Sequence, residues 1–427
     1  MILRSMMILS FLVQFSSLSF AQDRYIPNDP LFTYQWWGEN TGQQLVIPKI
    51  MGALGYMVPF EAKPDIDVDL PEAWAIERGS DDCLVAVLDV GFQLDHPDLY
   101  RQFWQNSDEI PRNGIDDDNN GLVDDVNGWN FIRNDQVINI DFKHGTEIAG
   151  IIAAEMDNNI GIAGIAPGCK ILPVVAGDIS HSVGIDNLVP QFKALAAGIR
   201  YAIQMKASVI SISLIIPSID TRLQNFQSNF PDAYSAMSIE GRFNLLLDLL
   251  AQELEAKNAT HTAIKEAYKV NIPIVAAAGN TGRDEMTFPT AFKEVISVAS
   301  IRSNGELSGF TTKGEWIDVS APGENILTCS DAGRCPGNFD CSITGNCHNH
   351  ADYNHPDGTS FSAPIVAGVV ALLRSKYPTL TIEEIRETLK RTGKPITSDP
   401  TLPPLVSAGN ALKNPFRFGS EVLLVGK

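Results

Sequence analysis

The chain has 427 residues, of which 44% are hydrophobic, 8% aromatic and 19% charged, and its formal charge is −19 at pH 7. That apolar share supports a large core and excludes a disordered chain. The acidic balance excludes nucleic acid or an anionic membrane as the main partner, because phosphates would be repelled, and it suits a protein that binds cations.

Arg4, the apolar run Met6 to Phe15 and the small residues of Ser19-Phe20-Ala21 read as a signal peptide over 1–21. The mature chain would then begin near Gln22 and be secreted, periplasmic or extracellular. No later stretch reaches about 18 uninterrupted apolar residues, so no membrane anchor is expected in the mature chain. Residues 22–75 lack regular periodicity and read as an N-terminal extension wrapping the core; 76–427 read as one large domain.

Within that domain, short β-rich apolar runs alternate with helical stretches. The runs are Cys83 to Leu88, Ile171 to Ala176, Ala207 to Leu214, Ile272 to Ala278 and Val295 to Ala299. Each is bounded by turn residues, as expected of strands buried on both faces of a parallel sheet. Helices are expected over Gly145 to Met156, Gln191 to Lys206, Phe243 to Tyr268 and Ser362 to Lys376. The alternation predicts an α/β fold, a three-layer αβα sandwich with a mostly parallel central sheet.

Six cysteines fit an exported protein. Cys329, Cys335, Cys341 and Cys347 recur every six residues in a polar, Gly-rich stretch, which reads as a loop stapled by two disulfides. A zinc site with His348, His350 and His355 is the rival, although zinc ligand pairs usually sit closer together. Cys83 and Cys169 each open an apolar run and are either a pair or two buried thiols.

Four segments carry chemistry. Asp89 ends the buried run Val85 to Asp89 and precedes a Gly turn, where open α/β sheets place their ligands. His144-Gly-Thr opens a helix of small residues. Ala276-Ala-Ala-Gly279-Asn280 ends a strand in glycine and an amide. Gly358-Thr-Ser360 opens a long Gly- and Ala-rich helix, which places the hydroxyl at a positive helix end. Acyl transfer needs this set. An imidazole must take the proton of a serine, a buried carboxylate must orient the imidazole, and an amide with a backbone N–H must stabilise the oxyanion. Separately, Asp116-Asp-Asp118-Asn-Asn120-Gly121 matches the first six positions of a calcium loop, with Asp116, Asp118 and Asn120 as candidate ligands. Its twelfth position is Asn127 instead of Glu, so an acidic solvated turn remains open.

These motifs together resemble the subtilisin-like serine peptidases, the subtilases, over roughly Pro27 to the C-terminus. Asn28-Asp-Pro-Leu-Phe and Pro71-Glu-Ala-Trp74 add to the likeness. The resemblance implies Asp89 as orienter, His144 as general acid/base, Ser360 as nucleophile and Asn280 as oxyanion donor. It also implies a structural calcium held by side chains of Asp98 and Asn158 and carbonyls of Met156, Ile160 and Ile162. The function it implies is a secreted serine endopeptidase acting on proteins or peptides through an acyl-enzyme; the alternative is an idle relative that binds peptide or calcium. Several residues depart from the family pattern. Val90 stands where relatives carry Thr or Ser, and Ile215-Ile216-Pro217 stand where glycines line the primary specificity pocket, which should narrow it. Insertions at about 218–258 and 329–355 would flank the cleft. Only a few residues separate the signal peptide from the mature-like start, so no inhibitory prodomain is expected.

Overall fold

The computed structural model describes residues 23–43, 46–49, 56–59, 62–139, 144–177, 188–216, 219–330, 353–396 and 401–419. The predicted signal peptide and Cys335, Cys341, Cys347, His348 and His350 lie outside them. Ahead of the main domain, β1 (Val46–Lys49) and β2 (Tyr56–Pro59) form an antiparallel hairpin, followed by α1 (Leu70–Trp74). The central sheet is built from β3 (Leu84–Asp89), β4 (Trp129–Asn130), β5 (Lys170–Val175), β6 (Val209–Ile212), β7 (Ile274–Ala277), β8 (Val295–Ile301) and β9 (Val319–Pro322). Its order is β4-β5-β3-β6-β7-β8-β9, and every neighbouring pair is parallel. A second small hairpin joins β10 (Thr328–Cys329) to β11 (Tyr353–Asn354).

All five expected strands lie in this sheet. The two unforeseen ones are its edges. A two-residue strand has no readable periodicity, and Pro322, which lacks a ladder donor, ends β9 at the sheet edge.

The helices are α2 (His144–Ala153), α3 (Leu188–Gln204), α4 (Ile219–Asn229), α5 (Pro231–Ala236), α6 (Ile239–Lys269), α7 (Thr359–Lys376), α8 (Ile382–Thr392) and α9 (Ala408–Lys413). No helix among the described residues is long and apolar enough to cross a membrane.

The two-residue period of a strand decides which layer each side chain of β3 enters. Val85 and Val87 pack in one buried cluster with Ile148, Ile151 and Val366, from α2 and α7. Leu84, Ala86 and Leu88 pack in the other with Leu195, Ile199 and Ile264, from α3 and α6. Asp89 follows Val85 and Val87 in parity, so it faces the layer of α2 and α7. It also ends the strand at which the order reverses, since β5 lies on one side and β6 on the other. The loops diverge there and leave a crevice at the carboxyl ends of the strands.

Residues before β3 are tied in by indoles. Trp36, Trp37 and Trp74 are fully buried, and their Nε1 atoms donate to Asn325 O, Leu327 O and Ile165 O. Cys83 and Cys169 stand as two buried free thiols.

Candidate active site

His144 is the first residue of α2, and its Nδ1 lies 2.8 and 3.0 Å from the two oxygens of Asp89. Asp89 is fully buried, while His144 keeps 19% of its side chain exposed. One ring nitrogen is thus held by the carboxylate and the other is left for proton exchange. Burial pulls the imidazole pKa down, but the charge and hydrogen bond of Asp89 outweigh it, so the pKa rises above its ordinary value of 6.5. The close seating of α2 needs glycine. A Cβ on Gly145 would stand 2.3 Å from Gly91 O, in the turn just after Asp89.

Ser360 is the second residue of α7, half-buried, after Gly358. Its neighbour Phe361 packs against the His144 ring at a centroid distance of 5.5 Å, which brings the start of α7 beside the imidazole. Pro364 lies four residues further on and has no N–H, so it cannot supply the helical bond to the Ser360 carbonyl. The Ser213 hydroxyl, just beyond β6, supplies one instead at 2.9 Å.

Asn280 is exposed at the end of β7. Its Oδ1 accepts from Thr359 N and from Thr359 Oγ1, both at 2.9 Å, so the amide presents Nδ2 outward as a donor. The Thr359 hydroxyl in turn accepts from Gly279 N at 3.1 Å. Gly279 has φ +102°, which turns the chain sharply between strand and amide. The Ser360 N–H belongs to the first helical turn, whose donors lack intrahelical acceptors. Ile215 Cδ1 comes within 3.7 Å of the position a Gly279 Cβ would occupy, so a bulky side chain lies against this turn. The sequence points to Asp89, His144, Ser360 and Asn280 as candidates; Thr359 and Ser213 emerge from the structure, with the GTS tripeptide and the run Ser211-Ile-Ser213 as their only sequence signals.

The first candidate cation site is assembled around Asp98, which is fully buried. Its Oδ1 accepts from Asn158 Nδ2 at 2.7 Å, and its Oδ2 accepts from Ile162 N at 3.0 Å and from the Tyr353 hydroxyl at 3.1 Å. Asn158 Oδ1 accepts from Ile160 N, and Met156 opens the same loop. Asp29 was missed in the sequence. Its Oδ2 accepts from Asp157 N at 2.9 Å, while its Oδ1 is buried with no partner. Burial raises the carboxyls of Asp98 to about 7 and of Asp29 to about 6, because the charged form loses its hydration there.

In the acidic loop the carboxylates that gather are not the set its spacing suggests. Ligand atoms of Glu109, Asp118 and Asp125 lie within 4.8 Å of one another. The amides of Asn106 and Asn120 donate to Asp118 and Asp125 at about 3.0 Å, and Tyr201 donates to Asp125 at 2.6 Å. Asp116 stands outside the trio, because its oxygens accept from Asn120 N and Gly121 N of its own turn. Asn120 serves as a donor to the carboxylates, and its Oδ1 accepts from Leu122 N. Glu109 lies before the motif and Asp125 after its glycine, so the local pattern could not select them. The trio is a donor set suited to a hard cation.

A family model described as the subtilase family matches residues 80–419. The chain is 31% identical over 313 residues to the major intracellular serine protease of Bacillus subtilis (strain 168), covering 72% of this chain and 73% of that one. It is 28% identical over 352 residues to thermitase of Thermoactinomyces vulgaris, covering 82% and 86%. Among solved structures, a protease from Pseudoalteromonas arctica PAMC 21717 superposes with a TM-score of 0.59 at 23% identity, covering 91% of this chain and 99% of that one. Fervidolysin from Fervidobacterium pennivorans does so with a TM-score of 0.56 at 23% identity, covering 82% and 45%, and both likenesses speak to the fold alone. The sequence relatives and the family match together carry the activity: this chain belongs to the subtilase family and is a serine-type endopeptidase.

Proposed function

We propose that this subtilase is a secreted, calcium-stabilised endopeptidase in which Ser360, His144, Asp89 and Asn280 carry the reaction. The observation that supports it most is the bond of Asp89 to His144 Nδ1 beneath a helix whose second residue is Ser360. Asp89 holds the tautomer in which Nε2 can accept a proton. Ser360 Oγ attacks the peptide carbonyl as its proton passes to His144, and the oxyanion is met by Asn280 Nδ2 and Ser360 N–H. Collapse of the tetrahedral adduct breaks the C–N bond, with His144 returning the proton to the leaving amine. Water activated by the same imidazole then hydrolyses the acyl-enzyme.

Ile215 against the oxyanion turn supports a shallow primary pocket that favours small side chains. Secretion rests on the signal-like 1–21, since one relative is named as intracellular. Calcium would be held by Asp98, Asn158, Asp29 and the carbonyls of Met156, Ile160 and Ile162, and again by Glu109, Asp118 and Asp125. It would supply positive charge to carboxylates that burial disfavours, fastening loops near the cleft. A fluorophosphonate probe tests the central assignment. A covalent adduct on Ser360 that is lost in Ser360→Ala is expected. An active protein with no adduct there would overturn it, and an inert calcium-loaded protein would favour the idle reading.

A further inference from the structure

Cys83 and Cys169 take no part in the chemistry above, yet the fold sets them side by side. They directly precede β3 and β5, whose first register pair is Leu84 with Lys170. Lys170 N donates to Cys83 O at 2.9 Å, so the cysteines continue the pairing by one residue. Residues paired across neighbouring parallel strands project from the same face. Both thiols do so, onto α7. Cys83 Sγ lies 3.7 Å from Ala371 O, and Cys169 Sγ lies 3.7 Å from Ser375 Oγ. They are 3% and 0% exposed. Adjacent strands run about 4.8 Å apart, inside the roughly 4.4–6.8 Å span of Cα atoms that a disulfide bridges, so the register puts the two cysteines at bridging separation.

We propose that Cys83 and Cys169 are a cross-link site, closing to a disulfide that joins the starts of β3 and β5. The co-reactant is a small-molecule disulfide. One thiolate attacks it and releases one small thiol; the second thiolate then attacks the mixed disulfide and releases the other. Two protein thiols become one S–S bond, their two protons leave with the two small thiols, and the oxidant is reduced by two electrons. Because both sulfurs are buried beneath α7, the exchange occurs as the domain folds, before the helix covers them. The closed segment carries Asp89 and His144 as well as Asp98, Asn158, Glu109, Asp118 and Asp125. One bond therefore ties the ends of the stretch that holds two of the proposed catalytic residues and nearly every proposed cation ligand side chain. It stabilises the domain chiefly by restricting the unfolded chain.

The test uses full-length protein refolded in a mixture of reduced and oxidised glutathione, then denatured, alkylated without reductant and mapped by mass spectrometry. A peptide pair joining Cys83 to Cys169, lighter than its parts by two hydrogens and split by reductant, is expected. Alkylation of both thiols before reduction, or pairing of either with Cys329, Cys335, Cys341 or Cys347, would overturn the site. The double variant Cys83→Ala/Cys169→Ala adds a second readout: the loss of Tm on reduction should shrink by several degrees relative to the parent protein. An undiminished loss would overturn the stabilising role, and the peptide map decides the link itself should the variant not fold.

Discussion

The Ser213 hydroxyl donates to the carbonyl oxygen of Ser360, a bond that exists because Pro364 denies that carbonyl its helical partner. Ser213 follows β6 and Ser360 opens α7, so one bond fastens the proposed nucleophile's backbone to the sheet. Ser213→Ala leaves a partly buried acceptor unpaired, a loss of about 1–3 kcal/mol measurable by denaturant unfolding. Looser placement of Ser360 should lower kcat by up to about 10²-fold. Full fluorophosphonate titration alongside an unchanged kcat would show that the bond does not position the serine.

Asp89→Asn should keep the fold and lose about 10⁴-fold in kcat, because an amide no longer holds the productive tautomer of His144. It should also remove the interaction that raises the imidazole pKa. The base must be neutral, so kcat/KM of the native enzyme should fall as pH drops through a value above the ordinary 6.5, and the inflection should move lower in the variant. A pH–rate profile with the same inflection in both proteins would refute the pairing.

Asn280→Ala should cost about 10²–10³-fold in kcat with little change in KM, as expected of a donor that acts on the developing oxyanion. Thr359→Val removes the hydroxyl that bonds Asn280 Oδ1 and Gly279 N, while the bond from Thr359 N remains. A smaller loss, again in kcat, is expected. A change confined to KM would assign both residues to substrate binding instead.

Removing calcium with a chelator should lower Tm, because a ligand bound only to the native state stabilises it by about 2.7 kcal/mol at 100 times its Kd. Asp98→Asn and Asp118→Asn should each abolish part of that response, since they belong to separate candidate sites. Equal melting temperatures with calcium and with excess chelator would count against both sites.

Ile215→Gly should clear the side chain that lies against the Gly279 turn and admit larger residues on the acyl side of the cleaved bond. Cleavage of a peptide library by parent and variant reads this out. Identical profiles would locate the pocket elsewhere.

Local information was enough for the five inner strands of the sheet and for the helices α2, α3, α6 and α7, and it put forward Asp89, His144, Ser360 and Asn280 as candidates. Each sits at the junction of an apolar run with a turn or helix start, and that junction is written in consecutive residues. Even the face taken by Asp89 follows from its parity with Val85 and Val87. The sequence could not show how these residues are held. Thr359 locks Asn280 across 79 positions, and Ser213 reaches Ser360 across 147. The acidic loop is the sharpest case. Its spacing suggests Asp116, Asp118 and Asn120 as ligands, whereas in the fold Asp116 bonds its own backbone and the carboxylates that gather are those of Glu109, Asp118 and Asp125. Asp29 likewise meets the loop at Asp157 across 128 positions. Hydrogen-bond partners and cation ligands are chosen by which groups remain unsatisfied once the chain has packed, and only the tertiary structure decides that.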